Sequence, residues 1–261
     1  MYGALIGDIA GSRFEWNNIR HKNFKLFTND CFFTDDSVMT IAVAKALHES
    51  KDNGYEELED NLIYWMHEIG MKYPYCGYGG RFYSWMMEYE TKPYNSFGNG
   101  AGMRTAECGW IAVSLDECLS LAKRCAAVTH DHPEGIKGAQ AISAAIYLAR
   151  TGSSIDEIRE YIEENFYPLG FTLDEIRPYY RFNETCQDSC PQAIEAFLES
   201  ENFEDAVKNA ISIGGDSDTL AAMTGSIAEA YYGIEPELIE KTDKYLDTYL
   251  RTFVHECVNR R

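Results

Sequence analysis

Two short acidic turns carry the residues best suited to chemistry. "FFTDDSVMT" places Thr34, Asp35 and Asp36 ahead of a helical pattern, and "GGDSDT" places Asp216, Asp218 and Thr219 ahead of another. A helix N-cap needs one side-chain oxygen, and an acid in the first turn suits the helix dipole. Each turn offers more: two carboxylates and a hydroxyl. Close carboxylates repel, and more strongly when partly buried. A hard divalent cation relieves that repulsion. Mg²⁺ and Mn²⁺ take oxygen ligands, whereas zinc favours His or Cys, which neither turn contains. Four aspartates and two threonines can hold two such ions and leave open positions for water. Each turn alone reads equally well as a cap, and a helix N-terminus by itself prefers an anion. Nor does sequence alone bring together turns whose aspartates Asp36 and Asp216 are 180 positions apart.

Weaker signals surround these turns. "GALIGDIAGSRFE" (3–15) ends in Glu15, which by itself reads as a helix-terminal surface residue. "GNGAGMR" (98–104) presents backbone N–H groups where glycines permit close approach, which suits a diphosphate. It also reads as a plain loop before a helix at 103–112. "THDHPEG" holds His130 and His132 two apart, which is not helical metal-ligand spacing and fits a loop-capping pair. "YPYCGYGGRFYSW" (73–85) can stack a base, admit a protein substrate, or simply pack.

The elements that must position these residues read as helices. Leu58, Leu62, Trp65, Met66 and Ile69 follow a helical period, as do Ile155, Ile158 and Ile162. Leu246, Tyr249, Leu250, Phe253 and Val254 form a further stripe. Alanine-rich segments such as "TIAVAKALHES", "GAQAISAAIYLAR" and "LAAMTGSIAEAYYG" favour closely packed helices. The best strand signal is the short "NFKLF" (23–27). Loops are expected at 72–81, 92–102, 130–135, 167–191 and 232–236. The expected fold is all-α: a compact orthogonal bundle of roughly ten or more helices forming one domain over 1–261.

Composition narrows the partners. A net charge of −19 repels nucleic-acid backbones and anionic membranes, so neither is an expected partner. An anionic substrate then needs a local device such as bound cations or a glycine nest. The eight cysteines form no C-x-x-C pair and are expected as free thiols in a cytoplasmic protein. Asp8 interrupts the apolar N-terminal stretch and no basic segment leads it, which makes a poor signal peptide. No apolar run approaches a membrane span.

Taken along the whole chain, these motifs resemble the ADP-ribosylglycohydrolase family, including the dinitrogenase-reductase-activating glycohydrolases. "GALIGDIAGSRFE", "FTDDSVMTIAVAKAL", "GNGAGMR", "THDHPEGIKGA" and the segment from "SCPQAIEAF" through "GGDSDTLAAMTGSIAEAYYGI" carry the resemblance in order. It implies an all-α fold and two Mg²⁺ or Mn²⁺ ions held between Thr34, Asp35, Asp36 and Asp216, Asp218, Thr219. It implies hydrolysis at the anomeric carbon of the distal ribose of an ADP-ribosyl group, with a metal-activated water as nucleophile and Asp35 or Asp36 as its base. Glu15 takes a catalytic or gating role by the same similarity. Asn99, Gly100 and Ala101 are expected at the phosphates or distal ribose, and His130 beside the phosphates. The expected substrate is an ADP-ribosylated protein or small molecule, with arginine N-glycosidic linkage favoured by likeness to the dinitrogenase-reductase branch. Serine-linked, base-linked and small-molecule ADP-ribose stand as alternatives, as does a non-catalytic ADP-ribose binder. A monomer is expected. The 73–85 and 169–183 segments correspond least to the family and are expected to border the cleft.

Overall fold

Two alanine-rich segments carry small or apolar residues around most of their circumference, and a helix of that kind has to be largely buried. In the computed structural model, which describes residues 1–261, they form the centre of the molecule. Helix α1 is Tyr2–Gly11, α2 Asp35–Ser50, α3 Leu58–Gly70, α4 Gly80–Met87, α5 Gly100–Met103, α6 Ala106–Ile111, α7 Leu115–Ala127 and α8 Pro133–Arg150. The remainder are α9 Ile155–Asn165, α10 Leu173–Ile176, α11 Cys190–Leu198, α12 Phe203–Ser212, α13 Ser217–Tyr232, α14 Pro236–Thr242 and α15 Thr248–Val258. From Ser217 to Ala228 every residue of α13 is buried, and α2 is buried along most of its length. Helices α1, α8, α11 and α12 pack around α13, while α1, α3, α6 and α15 pack against α2. One hydrophobic cluster joins these layers.

Local signals set the helix boundaries. Ser154 and Glu157 form a capping box at α9, and Thr172 and Glu175 form one at α10. His132 caps α8 by accepting from the Glu134 N–H at 3.1 Å, with Pro133 at the first helical position. Asp247 caps α15 at the Leu250 N–H. The apolar stripes lie where the periodicity puts them: Leu58, Leu62, Met66 and Ile69 are buried on α3, and Leu250 and Val254 on α15.

Three local readings differ. Residues 23–27 form no strand, because no partner strand lies beside them; the fold has only one isolated bridge, between Gly98 and Thr185. The helix expected over 103–112 is two pieces, α5 and α6, broken at Arg104 and Thr105. Several expected loops contain short helices: α4 starts at Gly80, and α10 lies within 167–191. Short side-chain caps and tertiary packing stabilise such pieces despite their glycines.

Close approach of α1 to α13 shapes the site. Gly3, Gly7 and Gly11 fall on one face of α1, four residues apart. A methyl group at Gly7 would sit 2.0 Å from the Ala221 carbonyl oxygen, and one at Gly11 would sit 2.5 Å from the Asp218 Cα. Only glycine permits this contact. It draws Asp8 of α1 to the N-terminus of α13.

Candidate active site

The two central helices open their N-termini onto one cleft of about 250 Å³. Thr34 caps α2, its hydroxyl accepting from the Asp36 N–H at 3.3 Å. That leaves Asp35 and Asp36 free of capping duty. Gly214 and Gly215, both at positive φ, turn the chain tightly into α13. Asp216 occupies the N-cap position of α13 but makes no capping hydrogen bond. Its Oδ2 instead accepts from the Asn99 side-chain amide at 2.7 Å. Thr219 donates to Asp36 Oδ2 at 3.0 Å, joining one acidic turn to the other. The simple capping explanation therefore accounts for Thr34 and not for the aspartates.

Asp36, Asp216 and Asp218 are buried, and no lysine, arginine or histidine pairs with any of them. Carboxylate oxygens of Asp8, Asp36 and Asp218 lie within 4.8 Å of one another, as do those of Glu15, Asp216 and Asp218. Asp218 belongs to both groups. Asp36 Oδ1 and Asp218 Oδ1 are buried without any hydrogen-bond partner. Leaving a buried carboxylate oxygen unpaired is unfavourable, and two such oxygens in one cluster are suited to holding a cation. The all-oxygen donor set suits Mg²⁺ or Mn²⁺.

The electrostatics follow from crowding. Burial first, then the Asp8, Asp35 and Asp216 carboxylates, raise Asp36 well above the ordinary range. Asp218 rises through burial and then Asp216, Asp36 and Glu15. Asp35 rises through burial, Asp8 and Asp216. Half-buried Glu15 is pushed up to about 7 by burial and the Asp216 charge, against a smaller opposing effect of the Trp16 indole.

Asp8 is the main site residue the motif reading did not single out. It is fully buried and accepts from the Thr34 N–H at 2.9 Å, the Ser37 N–H at 3.0 Å and the Thr34 hydroxyl at 2.7 Å, with the Ser37 hydroxyl also donating to it. Burial raises it to about 6, and these donors hold it lower than burial alone would. Both its oxygens are occupied, so Asp8 serves the first acidic turn as a cap supplied from another helix. Its sequence signal was a single acid inside an apolar, glycine-spaced helix.

The expected substrate contacts divide. Asn99, Gly100 and His130 line the cleft, together with Glu15, Thr34, Asp35, Asp36, Asp216, Asp218 and Thr219. Ala101 does not: it is buried in the core, and its N–H donates to the Gly98 carbonyl at 3.2 Å. The Asn99 N–H is likewise taken by the Glu184 carbonyl at 2.7 Å, leaving only the Gly100 N–H of the three without a partner in the chain. The Glu184 carbonyl and the turn into α5 thus take two of the three donors a phosphate nest would need, and Gly100 keeps the third. From 73–85 the cleft takes Cys76, Gly77, Arg81 and Phe82, and from 169–183 it takes Phe182.

The profile of the ADP-ribosylglycohydrolase family matches residues 1–260. The chain belongs to the ADP-ribosylglycohydrolase family. It is 25% identical to the ADP-ribosylhydrolase ARH3 of Mus musculus, across 96% of this chain and 90% of that one. It is 24% identical to the ADP-ribosylarginine hydrolase Tri1 of Pseudomonas putida (strain GB-1), across 92% of this chain and 72% of that one. A solved structure titled ADP-ribosylglycohydrolase-related protein complex shares the fold, with a TM-score of 0.70 at 20% identity over 99% of this chain and 95% of that chain. This family member is an ADP-ribosyl glycohydrolase, a hydrolase that removes ADP-ribose, on an all-α scaffold. None of its helices is long and apolar enough to cross a membrane.

Proposed function

We propose that this protein hydrolyses the N-glycosidic bond between the distal ribose of ADP-ribose and an arginine of a modified protein, using two Mg²⁺ or Mn²⁺ ions. The observation that carries the metal-dependent reading is the pair of partnerless buried oxygens, Asp36 Oδ1 and Asp218 Oδ1, inside a carboxylate cluster with no cationic side chain. The arginine linkage is supported by the name of the relative Tri1.

Asp36, Asp216 and Asp218 would hold the ions, with Thr34, Asp35, Thr219 and Glu15 close by in the cleft. When bound, such ions anchor sugar hydroxyls, neutralise the carboxylates and acidify water. The remaining work falls to side chains. The Asn99 amide fixes the Asp216 carboxylate, and the Thr219 hydroxyl fixes Asp36. Asp35 lines the cleft yet belongs to neither ligand group. It is therefore the better placed of the two turn carboxylates to accept the proton of the attacking water. The water oxygen joins the anomeric carbon as the bond to the guanidino nitrogen breaks, and that nitrogen leaves protonated. Glu15, a carboxyl at the cleft outside the two acidic turns, is the group placed to supply that proton. At the far end, the Gly100 N–H and His130 face the space where the substrate's phosphates would extend.

The test is a panel of arginine-, serine- and base-linked ADP-ribose substrates, assayed with Mg²⁺ and again with chelator. Release from the arginine conjugate that vanishes with chelator and in Asp218→Asn supports the reading. Release that survives both refutes the metal dependence. Preference for another linkage refutes the arginine assignment alone.

A further inference from the structure

The cleft wall holds one fully buried cation, and it has no anionic partner. Arg104 is 1% exposed, lines the cleft and makes no ion pair. Its Nη2 donates to the Cys125 carbonyl at 3.3 Å, the Ala126 carbonyl at 3.4 Å and the Thr129 hydroxyl at 2.7 Å. Its Nε has no partner at all. A buried guanidinium without a carboxylate is rare unless its donors serve a specific purpose.

The Thr129 hydroxyl passes that charge onward. Fully buried, it lies 2.7 Å from His130 Nδ1 and has no other neighbour to receive its hydrogen. Arginine can only donate, so the hydroxyl accepts from Arg104 with a lone pair. Its own hydrogen then has one destination, Nδ1 of His130. A neutral imidazole that accepts at Nδ1 carries its hydrogen on Nε2. Burial, reinforced by Arg104 and Arg81, holds the His130 pKa well below its ordinary value, so the ring is neutral. Its Nε2 has no partner in the chain, and Gly98 and Gly100 leave the space beside it open, since a methyl on either would sit 3.4 Å from that atom.

We propose that Arg104 and Thr129 are positioning residues that lock His130 as the Nε2–H tautomer, presenting a neutral N–H donor to an anionic oxygen of the substrate's diphosphate. The relay rests on the reading of His130 as a phosphate contact. It assigns Arg104, far from the carboxylates in sequence, to substrate affinity and not to the bond-breaking end of the cleft.

Histidine tautomers are visible in long-range ¹H–¹⁵N spectra of the labelled, Mg²⁺-loaded protein, with the His130 signals assigned by their loss in His130→Asn. The wild type is expected to show His130 protonated at Nε2 alone. Thr129→Val is expected to mix the tautomers and raise KM for an ADP-ribosylated substrate about tenfold with kcat little changed, the scale of one lost hydrogen bond to a charged group. Thr129→Ser should restore both. Arg104→Met should reproduce the KM effect, with melting curves confirming that each variant is folded. A Thr129→Val protein that keeps the pure Nε2–H tautomer and the wild-type KM overturns the relay. A His130→Asn protein with wild-type KM overturns the phosphate contact beneath it, whatever the tautomer in the parent.

Discussion

Asp218→Asn should make the metal-free protein more stable while removing its response to Mg²⁺. Asp218 is buried, unpaired at Oδ1, and shared by both carboxylate groups. Unit charges 4.8 Å apart repel by about 3.5 kcal/mol at an effective dielectric of about 20. Asp218 meets such neighbours in both groups, but partial protonation limits how much of that repulsion persists. A gain of about 3 kcal/mol at pH 8 is therefore expected, or roughly 6–12 °C in Tm for a chain of this size. The sign with pH follows from the raised carboxyls. Asp8 goes from 3.8 to about 6 and Glu15 from 4.5 to about 7, with Asp35, Asp36, Asp216 and Asp218 also raised. The folded state then binds more protons than the unfolded one across this interval, so cluster stability is full below about 4 and lost as pH rises toward 7. The advantage of the Asp218→Asn variant should be largest at pH 8 and shrink toward pH 5. Differential scanning calorimetry with chelator, then with excess Mg²⁺, reads both effects. A variant less stable than wild type in chelator at pH 8, or one still stabilised by Mg²⁺ to the wild-type extent, would refute the reasoning.

Four further outcomes are expected. Asp8→Ala should destabilise the protein by about 2–4 kcal/mol even in chelator, opposite to Asp218→Asn, because it strands the Thr34 and Ser37 donors; urea denaturation measures it. Gly7→Ala should lower stability by about 3 kcal/mol or more, since its methyl meets the Ala221 backbone and neither helix can yield; the readout is Tm. Asn99→Ala removes the amide that fixes Asp216 and should reduce kcat/KM by roughly 10–100-fold, on the scale of a hydrogen bond to a charged group; steady-state kinetics at saturating Mg²⁺ check it. Wild-type protein should gain more Tm from Mg²⁺ at pH 8 than at pH 5, since protonated carboxyls bind the ion poorly; melting against Mg²⁺ concentration at the two pH values tests this.

The sequence by itself determined the helical class, because apolar residues at a 3.6 period can be buried together only on helices. It also marked Thr34, Asp35, Asp36, Asp216, Asp218 and Thr219 as excess oxygen chemistry, since one cap does not need two carboxylates. Tertiary structure decided the rest. Whether an aspartate caps its own helix depends on backbone geometry: Thr34 caps, while Asp216 turns to Asn99. Ala101 looked available and is not, because a helical turn consumes its N–H and the core covers it. Asp8 read as an interruption of an apolar run, yet the glycine face of α1 carries it to the acidic turns from another helix. Arg104 was only the last letter of a glycine motif until Thr129 and His130 stood beside it. Charge and hydrogen bonding act over a few ångströms, and distances that short between residues far apart in the chain exist only once the helices have packed.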